Sequence, residues 1–82
     1  MLSYTHGRVY VEGEDNQPIL IVVTGSTLDD SVITLFKDIP WEGSPIISKG
    51  LGSYSFYVLD SPNNALNVKS FADTINFLYP IF

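Results

Sequence analysis

The chain has 82 residues, of which 45% are hydrophobic and 16% charged, and it contains no cysteine, one histidine and eleven aromatic residues (one Trp, five Tyr and five Phe). Its formal net charge is −5, with nine acidic and four basic residues. The composition excludes thiol catalysis and disulfides, and it disfavours nucleic-acid binding, which needs clustered Lys and Arg. The chain is too apolar for a disordered protein, and its length predicts one compact domain over residues 1–82.

The sequence gives no indication of a membrane segment. The longest apolar run, residues 19–23, is far shorter than the ~20 residues that a spanning helix needs. The N-terminal residues lack the cationic start and apolar middle of a signal peptide, and the absence of cysteine fits a reducing compartment. We therefore expect a cytoplasmic protein that binds no membrane.

The first predicted elements form a hairpin. Residues 8–12 alternate, with Val9 and Val11 on one side of a strand. The polar stretch 13–18 joins them to a β-branched strand over residues 19–23, as in a hairpin with a long loop. Because the second strand is apolar on both faces, we expect it at the centre of the sheet, covered on both sides or paired into an interface.

A helix is predicted after this hairpin. Ser26 or Thr27 is expected to cap it, with Asp29 and Asp30 in the first turn, where the helix dipole favours anions. A strand over residues 31–36 is the competing interpretation, because three consecutive residues there are β-branched. The helical stripe, which ends before Pro40, consists of Leu28, Val32, Leu35, Phe36 and Ile39.

The second half repeats the order of strands and helix. A short strand is predicted over residues 46–48 and a longer one over 53–59, followed by a helix capped by Asn64 or Asn67 and stopped by Pro80. The longer strand has Tyr54, Phe56 and Val58 on one face, and the helix has a stripe of Val68, Phe71, Ala72, Ile75, Leu78 and Tyr79.

The resulting order is ββαββα. It predicts an α+β fold in which a four-stranded, mostly antiparallel sheet carries two helices on one face. If residues 31–36 form a strand, the alternative is a small all-β sandwich or barrel.

Two places in the sequence contain residue types that occur in ligand or catalytic sites. Thr24, Gly25, Ser26 and Thr27 follow a strand and precede a helix, an arrangement that can hold a phosphate. Ordinary helix capping explains the same residues, because no glycine-rich or lysine-bearing phosphate motif is present. His6 has no activating partner in the sequence, so we predict no enzymatic activity, no cofactor and no metal site.

Several aromatic residues have no obvious place in the predicted core. Trp41 lies in a loop after a proline, Tyr79 and Phe82 lie near the C-terminus, and Tyr10 faces away from the apolar side of its strand. Trp and Tyr dominate the energetics of protein interfaces. These four residues are therefore predicted to bind a partner protein; the alternative is that residues such as Trp41 and Phe82 plug the ends of the core.

The sequence thus favours a non-enzymatic interaction module, either an inhibitor or an accessory subunit. Small, acidic, cysteine-free domains of this kind are common among viruses and mobile elements. One alternative is an oligomeric structural component, such as a virion decoration or connector protein. Another is a binder of a small phosphate-bearing ligand at residues 24–27.

Overall fold

The architecture is a five-stranded antiparallel sheet with two helices, and the computed structural model describes residues 2–25 and 28–80. The strands are arranged in the order β1-β2-β3-β5-β4, and every neighbouring pair is antiparallel. The elements are β1 (Leu2–His6), β2 (Val9–Gly13), β3 (Ile19–Thr24), α1 (Ser31–Lys37), β4 (Ile46–Gly50), β5 (Ser53–Val58) and α2 (Pro62–Leu78).

The α+β class is confirmed, but the predicted number of strands is wrong. The sheet has five strands because residues 2–6, to which the sequence assigned no element, form β1 and pair with β2. A tight turn at Gly7 and Arg8 joins the two strands. The side chain of Asn76 in α2 holds this turn: its Oδ1 accepts from the Arg8 backbone N–H at 2.9 Å, and its Nδ2 donates to the His6 carbonyl at 2.9 Å.

One face of the sheet is covered by both helices. The stacked rings of Phe36 and Phe56 lie 4.3 Å apart between α1 and the sheet, and Phe71 of α2 meets each of them edge-on at 5.6 Å. Such geometry adds to the stabilisation from burial alone. The buried apolar residues are Val9, Val11, Ile19, Ile21, Val23, Val32, Phe36, Tyr54, Phe56, Val58, Val68, Phe71, Ala72 and Ile75.

Residues 31–36 are helical, as the preferred interpretation had it, but the predicted start of α1 is wrong. The helix begins at Ser31, with Asp30 as N-cap and no side-chain capping bond. Asp29 instead accepts the Ser31 backbone N–H at 2.9 Å and so satisfies one donor of the first turn. The predicted caps Ser26 and Thr27 lie outside the described residues.

The predicted start of α2 is also too late. Ser61 is the N-cap and accepts the Asn64 backbone N–H at 3.1 Å, while Pro62 occupies the first turn, where its missing N–H has no consequence. Asn64, one of the two predicted caps, has a different role. It is fully buried, accepts the Glu42 N–H at 2.9 Å and donates to the carbonyls of Glu42 and Leu59 at 3.1 and 2.9 Å.

β3 lies at the centre of the sheet, as predicted, but within the described residues it is covered on one side only. Ile19, Ile21 and Val23 are buried under the helices, whereas Leu20 and Val22 point to the other face and are partly exposed. Neither helix in the described part of the chain is long and apolar enough to cross a membrane.

Candidate interaction surface

The sheet has a second face, opposite the helices, which we call the open face. It is formed by the outward-pointing residues of all five strands, whose registers place them in two rows across the sheet. One row is Ser3, Glu12, Leu20, Tyr57 and Ile46, and the other is Thr5, Tyr10, Val22, Ser55 and Ser48.

The apolar residues of the open face are cross-strand neighbours. Tyr10 lies opposite Val22, and Leu20 lies opposite Tyr57, which in turn lies opposite Ile46. Such pairs have their Cβ atoms about 4.5–5.5 Å apart, so these side chains form a continuous patch. Tyr10 and Tyr57 are each 37% exposed and Ile46 is 61% exposed. Antiparallel sheets with one solvated face usually alternate apolar inward and polar outward residues, and this patch departs from that pattern.

A polar contact orients one aromatic residue of the patch. The Tyr10 hydroxyl donates to Oε2 of Glu12, its neighbour two residues along the same strand face. This hydrogen bond holds the proton on the phenol and raises the pKa of Tyr10 above its usual value of 10.0. Glu12 therefore lies next to the apolar patch as the acceptor of this hydrogen bond.

The open face continues into a groove of about 760 Å³ at one end of the sheet. Ile46, Tyr57 and Leu59 supply apolar side chains to its lining, and Asp15 and Asp60 supply carboxylates. Binding sites of this composition, mostly apolar with a few polar groups, are typical of ligand and peptide clefts.

Two loops form the walls of the groove, and backbone geometry fixes both. In the β2–β3 loop, Gln17 N–H donates to the Glu14 carbonyl at 3.0 Å, and Asn16 adopts a positive φ of 66°, which Asn tolerates in turns. In the loop before β4, Gly43 has a φ of 79°, and a Cβ there would come within 3.3 Å of the Leu59 Cβ. Glycine at position 43 therefore lets this loop approach Leu59 closely.

Of the four predicted partner-binding residues, the three that the structure describes do not share one surface. Trp41 is partly buried on the helix-covered side: its indole N–H donates to the Phe36 carbonyl at 2.8 Å and its ring lies 4.9 Å from that of Phe36. Tyr79 also packs against the core, and its hydroxyl donates to Asp29 at 3.3 Å. Phe82 lies outside the described residues. Among the described residues of this set, only Tyr10 lies on the open face.

The packing of Trp41 matches the alternative in which it closes one end of the core. Partner binding by Trp41 and Tyr79 stays a prediction. The residues that join Tyr10 on the open face are Leu20, Val22, Ile46 and Tyr57. Leu20 and Val22 belong to the strand that the sequence analysis offered as a possible interface, whereas Ile46 and Tyr57 were assigned to no site. Two sequence signals point to them. β3 is apolar on both of its faces, and Tyr57 alternates with the buried residues Phe56 and Val58 in β5, so its side chain lies on the other face of the sheet.

The predicted phosphate-binding turn has its described donors occupied. The Gly25 backbone N–H donates to the Gly52 carbonyl at 3.0 Å, and Thr24 Oγ1 donates to the Arg8 carbonyl at 3.4 Å. The Arg8 guanidinium meanwhile donates to the carbonyls of Thr24 and Tyr79 at 3.3 and 2.7 Å. Ser26 and Thr27 lie outside the described residues. This geometry gives the predicted ligand site no support.

Two charged pairs lie on the surface of the described residues. Asp30 makes an ion pair with Lys49 at 2.9 Å, and this hydrogen bond and charge lower the pKa of Asp30 below its usual value. His6 Nε2 lies 3.9 Å from Asp73 Oδ1. Within residues 2–25 and 28–80, no three His, Asp or Glu side chains gather in a way that could hold a metal ion. Comparisons with protein-family models, curated proteins and solved structures gave no match for this chain.

Proposed function

We propose that this protein is a non-enzymatic interaction module that binds a partner protein through the open face of its sheet, as an inhibitor or an accessory subunit. The observation that supports the proposal is the contiguous patch of apolar and aromatic side chains on the face that neither helix covers. The binding surface is therefore centred on Tyr10 and Tyr57.

The chemistry of this patch is that of an interface core. Tyrosine presents a large, rigid ring with a polar tip and is enriched among residues that dominate binding energies. Tyr10 and Tyr57 lie on either side of Leu20 and Val22, with which they pair directly. Polar side chains border the patch in part: Thr5, Ser55 and Ser48 flank Tyr10 and Val22 in one row, and Glu12 lies beside Leu20 in the other, as at the polar rim of specific interfaces.

Binding of a partner at the open face is favourable because it covers apolar side chains. Burial of apolar area stabilises by roughly 25 cal/mol per Å², and the area that the open-face residues still expose contributes this stabilisation only when a second molecule covers it. The partner of this proposal is a different protein. A second copy of the chain is the competing occupant, since two sheets can pack face to face.

Affinity capture with matched variants tests the proposal. The full chain, Tyr10→Ala/Tyr57→Ala and Phe77→Ala are immobilised separately and exposed to a lysate of the source cells. Phe77 is the control because it is an exposed aromatic residue, 83% accessible, on α2 rather than on the open face. We expect a partner retained by the wild-type chain and by Phe77→Ala but lost by the double variant, while circular dichroism shows all three folded.

Two results would contradict the proposal. One is a partner that the double variant retains as well as the wild type does. The other is equal loss with Phe77→Ala, which would place binding on the helices. Sedimentation velocity on the same samples identifies the competing occupant: a wild-type dimer that Tyr10→Ala/Tyr57→Ala converts to a monomer would mean that a second copy covers the open face.

A further inference from the structure

The outer edge of β4 presents backbone groups with which no strand in the described part of the chain pairs. β4 is the last strand of the sheet, and its inner edge is bonded to β5. In an antiparallel pair, successive residues direct their N–H and C=O groups alternately toward the neighbouring strand and away from it. The registers of the sheet therefore determine which residues of β4 direct these groups outward.

Two hydrogen bonds at the end of β3 fix this alternation. The Thr24 N–H donates to the Arg8 carbonyl at 2.9 Å, and the Gly25 N–H donates to the Gly52 carbonyl at 3.0 Å. The even-numbered residues of β3 therefore bond to β2, and the odd-numbered residues bond to β5, where their partners are even-numbered. It follows that the odd-numbered residues of β5 bond to β4.

The same alternation determines the outer edge of β4. The odd-numbered residues of β5 lie opposite the even-numbered residues of β4, which are thus bonded to β5. Ile47 and Lys49 direct their N–H and C=O groups outward. Pro45, which precedes the strand, has no N–H and so ends this row of donors.

The side chains along this edge leave it accessible. Lysine often keeps a free edge from pairing, but the Lys49 Nζ lies 2.9 Å from Asp30 Oδ1 and 5.8 Å from the ring centre of Tyr54. The ammonium group is therefore held over β5 of its own chain and does not extend past the edge. Ile46 at the start of β4 is 61% exposed, and Leu51, which follows the strand, is fully exposed.

A second copy of the chain can satisfy these backbone groups by antiparallel pairing about a two-fold axis. If Ile47 lay opposite Ile47 of the second copy, Lys49 would meet Pro45, which has no N–H. If Lys49 lay opposite Lys49, two like charges would be adjacent. If Ile47 lies opposite Lys49, the two resulting pairs exchange two hydrogen bonds each and use every outward N–H and C=O of both residues.

The side chains of the open face fit the same register. Ile46 would lie opposite Gly50 of the second copy, and Ser48 would lie opposite Ser48 at the axis. A Cβ at Gly50 would meet only Ser53 atoms, the nearest at 3.6 Å, so the space beside Gly50 is open to the Ile46 side chain. Leu51 follows Gly50 and would lie next to this isoleucine. The exposed apolar residues at the two ends of β4 would thus cover each other, as in a self-complementary interface.

We infer that the outer edge of β4 binds a second copy of this chain, with Ile47 of each copy opposite Lys49 of the other. The two five-stranded sheets then form one continuous sheet, and their open faces meet where Ile46 of each copy lies near the axis. The inference does not depend on the proposed function, because the contact uses the edge of the sheet and leaves its open face exposed.

Electrostatics predicts how this dimer responds to salt. Each copy has a net charge of −5, so overall repulsion opposes association, while the one charge on the edge strand is balanced by the Lys49–Asp30 pair. Added salt screens the repulsion. We therefore expect dimerisation to become tighter as ionic strength rises.

Amide hydrogen exchange by NMR and sedimentation velocity on the full chain, from about 10 µM to about 1 mM, test the inference. We expect a dimer to form as the concentration rises. The amides of Ile47 and Lys49 should exchange at least tenfold more slowly in the dimer. The amides of Ser3 and Thr5, which the same alternation directs to the outer edge of β1, should be unchanged and serve as an internal control.

Two variants at position 49 test the backbone hydrogen bonds. Lys49→Pro and Lys49→Gln both remove the ion pair with Asp30, but only proline also removes the outward N–H. Proline is tolerated in edge strands where its N–H would face away from the sheet. We expect Lys49→Pro to weaken dimerisation at least tenfold and Lys49→Gln to change it by about threefold or less.

Two valine variants test the side-chain fit. Gly50→Val fills the space beside Gly50 and should weaken dimerisation at least tenfold, because Ile46 of the second copy can no longer lie there. Ser3→Val adds a valine to the open face of β1, at the opposite edge, and should leave dimerisation unchanged. Circular dichroism checks that each variant is folded, and Gly50→Val provides the test if Lys49→Pro does not fold.

The outcomes separate this inference from the proposed function. A chain that stays monomeric at about 1 mM would overturn the inference, and so would a dimer whose Ile47 and Lys49 amides exchange as fast as in the monomer. Protection of these amides only when a different protein is added would mean that the edge binds a foreign strand, and the inference would be wrong. A monomer that still binds its partner through Tyr10 and Tyr57 would overturn the edge contact and leave the proposed function intact.

Discussion

Phe56 and Tyr57 are neighbours in β5, and they point to opposite faces of the same sheet. Phe56 is fully buried between Phe36 and Phe71, whereas Tyr57 is 37% exposed on the open face. The same contrast separates Ile21 from Leu20 in β3. Because the helices cover only one face, neighbouring apolar residues of one strand differ: one is part of the core and the next is partly exposed.

This difference shows which apolar residues the fold needs. Residues of the covered face obtain their stabilisation from α1 and α2 within one chain. Residues of the open face are covered by their neighbours within the sheet and not by the helices, so part of their surface remains exposed: 37% for Tyr10 and Tyr57 and 61% for Ile46. The core of this domain and its proposed binding surface thus derive from alternate residues of the same strands.

The largest expected difference in stability is between truncation of a residue on the covered face and truncation of its neighbour on the open face. Phe56→Ala should lower the free energy of unfolding by about 3–5 kcal/mol, because it leaves a cavity where three aromatic rings meet. Tyr57→Ala should lower it by about 1 kcal/mol or less, as for a partly exposed residue. Urea denaturation followed by circular dichroism measures both values.

Equal losses for the two variants would mean that the open face contributes to folding as much as the core does. If Phe56→Ala does not fold at all, Val58→Ala is a smaller truncation on the same face, to be compared with Ser55→Ala on the open face. The contrast between the faces would then be expected at about 1–3 kcal/mol for Val58 and near zero for Ser55.

Alternation in β2 and β5 was enough to predict which residues are buried. Val9 and Val11 and the set of Tyr54, Phe56 and Val58 all lie in the core, because a strand with period-two patterning has one way to face the helices. The same pattern could not tell what covers the outward side of β3. That depends on where α1 and α2 pack, which is a tertiary property.

The elements that sequence analysis missed depend on distant partners. β1 contains polar residues at its outward positions, and its turn is held by Asn76, about 70 positions along the chain. The sequence analysis predicts Asn64 or Asn67 as the cap of α2, because Asn is a good N-cap, but Ser is equally good and Ser61 has that role. Asn64 instead bonds the backbone groups of Glu42, 22 residues earlier in the chain, and the carbonyl of Leu59, just before the helix.

A second prediction concerns the hydrogen bonds that the buried Asn64 side chain makes to backbone groups on the covered side of the sheet. Asn64→Ala leaves the Glu42 N–H and two carbonyls without their partner, and unsatisfied buried groups cost about 1–3 kcal/mol each. We expect a loss of about 2–3 kcal/mol in urea denaturation, since water will reach some of these groups. Asn63→Ala is the matched control: Asn63 is exposed and donates only to the Glu42 side chain, so its loss should stay within about 0.5 kcal/mol.

Substitutions at Gly7 and Gly52 distinguish the cost of backbone strain from the cost of disturbing the contact with α2. Gly7 and Gly52 both have positive φ, 57° and 71°, but a Cβ at Gly7 would overlap Asn76 whereas a Cβ at Gly52 would meet nothing within 4 Å. Gly52→Ala should cost about 1–2 kcal/mol from the left-handed conformation alone. Gly7→Ala should cost about 1 kcal/mol more, because the Asn76 side chain must move and its two hydrogen bonds weaken. Equal losses would show that α2 does not hold the first hairpin.

The smallest expected effect concerns the Asp30–Lys49 pair, which links the start of α1 to β4. The pKa of Asp30 is lowered from 3.8 in the folded state, first by its hydrogen bond with Lys49 and then by the charge of that residue. The unfolded state therefore binds more protons at acid pH, so the pair stabilises the fold above about pH 4 and this contribution is lost as the pH falls through the folded-state pKa. Both side chains are well exposed, so the effect is small and decreases with salt.

Stability measured against pH in the wild type and Asp30→Asn checks this expectation. The wild type should be slightly more stable near pH 7, and the difference should vanish towards pH 2 because the carboxyl group is then protonated. In a Lys49→Gln background, which removes the hydrogen-bonding cation, most of the difference between Asp and Asn at position 30 should disappear at every pH. A difference that persists in that background would mean that Asp30 stabilises the domain through the start of α1 or through the Tyr54 hydroxyl, which lies 3.4 Å from its Oδ1, rather than through the ion pair.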